Sequence, residues 1–106
     1  MSMSDEPTPL ALNDRNLRRL ISETANDANC VFFTPHSKLR MRQRKIDADQ
    51  VFDCLRNGVV SESAHTNLHG NWQCTLTRLN AGDEISVAAA LDRTENGDWV
   101  VVITVF

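Results

Sequence analysis

A chain of 106 residues suits one domain, and 42% hydrophobic with 24% charged residues excludes collagenous, disordered and disulfide-scaffold classes. The formal net charge of −3 argues against nucleic-acid binding through overall charge, so any such contact needs a local cluster. No apolar run approaches the ~20 residues of a membrane-spanning helix, and the N-terminus lacks the basic-then-apolar pattern of a secretory signal, so a cytoplasmic protein without membrane contact is expected.

Residues 1–12 begin "MSMSDEPTPL", a polar, proline-containing stretch that reads as a disordered lead to a single domain over 13–106. A first helix should begin at Asn13, whose side chain can cap it, with Asp14 at the positive end of the dipole. Leu17, Leu20, Ile21, Thr24 and Ala25 recur at helical spacing and form its inner face. "CVFF" at 30–33 is short and β-prone. Thr34-Pro35 then opens a second helix running to about Lys45, since proline is tolerated at the first helical position. Asp47 with Gln50 has the form of a capping box for a third helix. Val51, Phe52 and Leu55 mark its buried face, and Gly58 should end it in a left-handed conformation.

Beyond Gly58 the pattern changes to alternation. Turn signals at 69–71, 80–83 and 95–98 separate four strands expected near 59–66, 72–79, 84–92 and 98–106. The fold class is therefore α+β, with N-terminal helices on an antiparallel sheet of four or five strands. The last strand, "WVVVITVF", is apolar on both sides, so its edge must be covered by "CVFF" or by another chain. Trp72 and Trp99 fall at alternating apolar positions and read as core. Cys30, Cys54 and Cys74 read as reduced, mostly buried thiols rather than a disulfide framework.

The chemistry-bearing stretch is "FTPHSKLRMRQRK", in which five of the last eight residues are cations. On a helical wheel His36, Arg40 and Arg44 form one line beside Leu39, Gln43 and Ile46, which brings His36 and Arg40 to the core border. Lys38, Arg42 and Lys45 point the other way. Arginine offers planar donors to phosphoryl oxygens, and histidine moves protons near neutral pH. His36, Arg40 and Arg44 are thus the candidate catalytic set for a phosphodiester, and Lys38, Arg42, Lys45 and Arg78 the candidate nucleic-acid contacts. The bland reading of the same residues is a solvated basic face.

"HSKLRMRQRKI", then "VFDCLRNGVV" and the closing "VVVITVF", together resemble a bacterial domain family of unknown function, over residues 34–106. That family is in turn similar to the RelE- and BrnT-type toxins, small ribonucleases with helices packed on an antiparallel sheet. The resemblance implies a RelE-like fold, RNA as ligand, metal-independent endoribonuclease activity and a cognate antitoxin as partner. Two departures stand out. Family members often carry Glu-Arg-Gly where this chain has Gln43-Arg44-Lys45, which removes a carboxylate and a glycine at the helix exit, and the chain has no tyrosine.

A non-catalytic protein-interaction domain on the same scaffold is the competing class. His65 and His69 lack the further ligands that zinc requires, so no metal is expected. The 69–71 loop could instead bring a second histidine toward the basic helix. No glycine-rich phosphate loop is present, so no cofactor is expected.

Overall fold

The computed structural model of the chain describes residues 13–80 and 82–106. The expected lead over 1–12 lies outside the described residues. Among the described residues three helices precede most of the sheet: α1 (Asp14–Thr24), β1 (Val31–Phe33), α2 (Pro35–Arg44), α3 (Ala48–Asn57), β2 (Val59–Thr66), β3 (Trp72–Asn80), β4 (Asp83–Thr94) and β5 (Gly97–Val105). The helix starts follow the capping chemistry. Asn13 accepts from the Asn16 N–H, Thr34 from that of Ser37, and Asp47 and Gln50 form the reciprocal box.

The sheet order is β1-β5-β4-β3-β2. β2 to β5 form an antiparallel body, and β1 joins it in parallel, Phe32 opposite Val101. A parallel partner needs a crossover connection, and β1 has one because α2, α3 and three strands intervene before β5. All three helices cover one face. There Leu17 and Ile21 of α1 and Val51, Cys54 and Leu55 of α3 meet Leu76, Val87, Leu91, Val100, Val102 and Val105, all buried. Register slips in β2 leave the Ala64 N–H free of the ladder, and the Asp14 carboxylate accepts it at 2.7 Å.

β5 is an interior strand. β1 covers the first half of its edge and α2 the second. Thr34 N–H donates to the Val102 carbonyl, Thr34 Oγ1 to that of Ile103, and Arg40 Nε to that of Val105. The edge of an otherwise two-sided apolar strand is thereby closed within the chain.

Several expectations need correction. Gly58 is not left-handed: its φ of −70° and ψ of 165° are extended. Its requirement is steric, since a Cβ there would stand 2.5 Å from the Cys54 carbonyl oxygen and 3.1 Å from that of Thr77. The left-handed residue is Lys45, at φ 57° and ψ 44°, which ends α2. Trp99 lies on the uncovered sheet face and is exposed, while Trp72 packs against the core. Cys54 and Cys74 are buried, but Cys30 is only half-buried, because it ends a short 3-10 turn rather than entering the strand. At the last hairpin the positive φ falls on Gly97, at 114°.

Candidate functional site

The basic helix is held by its smallest inward residue. Ser37 is fully buried, and its hydroxyl donates to the Thr34 carbonyl at 2.8 Å. Met41, one turn on, packs against the core, as does Ile46 after the helix. The wheel drawn on Leu39 is therefore rotated from the true one. Leu39 points outward and is 43% exposed. His36 and Arg44 are exposed too, and of the candidate catalytic set only Arg40 is half-buried. A serine that satisfies its hydroxyl locally can be buried, and its small size lets the helix approach β5 closely.

The cations still divide into two groups, as two flanks of α2. Lys38, Arg42 and Lys45 lie on the flank toward α3. With Phe33, Met41, Ile46, Asp47 and Ala48 they line a cavity of about 470 Å³, cationic at its rim and mainly apolar at its floor. His36, Arg40 and Gln43 lie on the opposite flank at helical spacing. The Arg40 guanidinium is committed there: Nε to Val105 at 3.3 Å and Nη1 to Gln43 Oε1 at 3.4 Å. Arg44 and Lys45 border a smaller cavity of about 290 Å³ together with Asp83 and Glu84.

Arg78 does not join these cations. It lies on the helix-covered face and its Nε meets Asp53 Oδ2 of α3 at 3.0 Å. Arg78, and then Asn57, hold the Asp53 carboxyl below its usual 3.8 by hydrogen bonding. The charge is spent on docking α3 to β3.

The loop between β2 and β3 does reach the start of α2. His69 and Thr34, the cap of α2, line one groove of about 500 Å³ on the uncovered face of the sheet. His36 stands two residues beyond Thr34 but is not among the lining residues. Nothing in the sequence pattern marked Gln73, Ala90, Val101 and Ile103 as neighbours in this groove. The one available signal was "NLHGN", whose Asn67 can organise a tight loop. His65 Nδ1 donates to the Ser63 carbonyl at 3.0 Å. Among the described residues no three His, Cys, Asp or Glu side chains converge in a metal-ligating cluster. None of the helices among them is long and apolar enough to cross a membrane.

Residues 33–106, from the end of β1 to the C-terminus, match the model of a domain of unknown function, DUF4258. The chain belongs to the DUF4258 family. No curated protein and no solved structure matches it. The DUF4258 region contains α2, α3 and β2 to β5, hence both flanks of the basic helix and the groove. α1 precedes it, yet supplies Leu17 and Ile21 to the core of the DUF4258 sheet.

Proposed function

We propose that this DUF4258 domain binds RNA through α2 and cleaves it without a metal, in the manner of a toxin-type endoribonuclease. The observation that carries the reading is the cavity rimmed by Lys38, Arg42 and Lys45 over Phe33, Met41 and Ile46. Cations at a rim take phosphate oxygens, and an apolar floor takes the face of a base or a ribose. Lysine and arginine concentrated on one helix make a local field that an overall charge of −3 does not cancel within a Debye length.

For cleavage, the RNA 2′-hydroxyl attacks phosphorus, the P–O5′ bond breaks, and a 2′,3′-cyclic phosphate forms. His36, exposed on the first turn, takes the 2′ proton, and water protonates the leaving O5′. Arg44, eight residues and so about 12 Å along the helix from His36, takes a neighbouring phosphate rather than the reacting one. Arg40 acts chiefly as a positioning residue, because its donors already hold β5 and Gln43.

The test is binding of a single-stranded RNA across a salt series, with the products resolved on a gel. Lys38→Ala should weaken binding and lower the salt slope by up to about one unit. His36→Ala should abolish cleavage and leave binding intact. Absence of binding by the wild type at low salt would end the RNA reading, and binding without cleavage would reduce it to a binding domain.

A protein-docking domain is the second reading, favoured by the face of the sheet that no helix covers. Phe32, Val59, Leu79, Trp99 and Phe106 are all exposed there, where an open antiparallel sheet normally presents polar residues.

A further inference from the structure

The groove on the uncovered sheet face differs in chemistry from the cavity beside α2. None of the residues lining it is Asp, Glu, Lys or Arg. Its floor is aliphatic: Val101 and Ile103 of β5 and Ala90 of β4. Val101, Ala90 and Gln73 are consecutive partners in one cross-strand row, so their side chains share the face. The β2–β3 loop makes the wall. Asn67 Oδ1 accepts from the N–H groups of His69 and Asn71, at 2.9 and 3.1 Å, and the Asn67 N–H donates to the Asn71 carbonyl. The loop is therefore closed on itself before any ligand arrives, which lowers the ordering cost of binding.

Organising the loop uses the Asn67 side chain and leaves others free. Among the described residues, the Asn71 and Gln73 amides and the His69 ring make no side-chain hydrogen bond. An amide carries a donor and an acceptor side by side, the complement of a nucleobase edge. A base also has an apolar π-face to lay on Ala90 and Val101. The volume of about 500 Å³ exceeds one nucleoside and falls within the range of small-molecule sites. Phosphate is disfavoured here. Glu62 and Asp92, opposite Thr75 and Trp99, sit in the rows on either side of the Gln73–Ala90–Val101 row.

We infer that this groove is a nucleobase site: the Gln73 and Asn71 amides read the edge of an unpaired base whose ring lies on Ala90 and Val101. The assignment rests on the RNA reading above for its biological ligand. The groove ends at Thr34, which caps α2, so the base site and the cationic helix meet at one helical turn. The strand then divides by chemistry, phosphates to the cations of α2 and one base to the neutral groove.

The experiment is a ¹⁵N-resolved NMR titration of the full chain with each of the four ribonucleosides, which carry no phosphate. At least one should give saturable shifts at the Gln73, Ala90 and Val101 amides. Gln73→Leu, which keeps the volume and removes the amide, should weaken that nucleoside by about tenfold, the worth of a lost buried edge contact. It should also weaken RNA containing that base while leaving the salt slope unchanged, whereas Lys38→Ala lowers the slope. Thermal melts of Gln73→Leu confirm that the fold is kept. No saturable shift at ~20 mM nucleoside, equivalent to an affinity too weak to select a base, overturns the site. So do shifts centred on α2, equal binding by Gln73→Leu, or displacement of the nucleoside effect by self-association of the chain on this face. Nucleoside binding in the groove by a protein that fails to bind RNA would remove the RNA reading and keep the nucleobase site.

Discussion

Arg40 Nε donates to the carbonyl of Val105 at 3.3 Å, joining the middle of the basic helix to the end of the last strand. Without it the final edge carbonyl of β5 loses its partner on the α2 side. Arg40→Ala should cost about 1 to 2 kcal/mol, the range for a charged hydrogen bond plus lost stem contacts. Arg42→Ala, on an exposed part of the other flank, should change stability by less than about 0.5 kcal/mol. Urea midpoints of the two variants check this. Equal midpoints would show that the two flanks do not differ in structural role.

Lys45 ends α2 at a positive φ of 57°, a conformation that costs a non-glycine residue about 1 kcal/mol. Lys45→Gly should therefore stabilise the domain, raising Tm by roughly 4 to 8 °C per kcal/mol for a chain of this size. RNA affinity should fall in the same variant, because the change removes a rim cation of the α2 cavity. A stabiliser that weakens the ligand is the signature sought, and a Tm unchanged or lowered would contradict it.

Gly58 has backbone angles open to any residue, so its replacement fails for want of space. The alanine Cβ would meet the Cys54 carbonyl at 2.5 Å and Cys54 Sγ at 3.3 Å. Gly58→Ala should cost about 1 to 3 kcal/mol by overpacking, and Gly58→Val more. The Gly58 carbonyl accepts from Arg18 Nε at 2.7 Å, so the displacement should also loosen α1. Hydrogen exchange at Leu17 and Ile21 reads that coupling directly, and unaltered protection there would exclude it.

Burial pushes the Cys54 thiol up to about 12 and the Cys74 thiol up to about 11, from an ordinary 9.0. In the unfolded chain both ionise near 9, while in the fold they stay protonated. Stability should thus be complete below pH 9 and fall as pH rises through 11 and 12. At the acid end the sign reverses for Asp53. Its lowered pKa adds stability above 3.8 that is lost as pH falls through the folded value. That pair is partly exposed, so its share should stay below about 1 kcal/mol. Melts of wild type and Asp53→Asn against pH check both limbs.

In a native thiol titration Cys30, half-buried on its turn, should be the single reactive cysteine. Cys54 and Cys74 should react only on unfolding, since their Sγ atoms are buried and protonated. Cys54 Sγ in addition donates to the Leu76 carbonyl at 3.3 Å. Three fast thiols would show that the α3–β3 contact opens in the native state.

The amino-acid sequence determined the local structure of this protein. Asn13, Thr34 and Asp47 carry their capping oxygens wherever the chain goes, and alternation between Gly58 and the C-terminus defines strands without reference to distant residues. Those are interactions over a few residues, so the helices, the four-strand body and the covered edge of β5 were legible. Tertiary structure decided the rest. The sequence pattern favoured Leu39 as the inward residue of α2, but Ser37 is the residue buried there and Leu39 is exposed, and that rotation moved His36 from the core border into solvent. Arg78 read as a free cation until α3 set Asp53 against it. The groove joins Thr34, His69, Gln73 and Val101, residues as far apart as 34 and 101. Their meeting depends on strand register and on a parallel β1, and neither is encoded by spacing along one element.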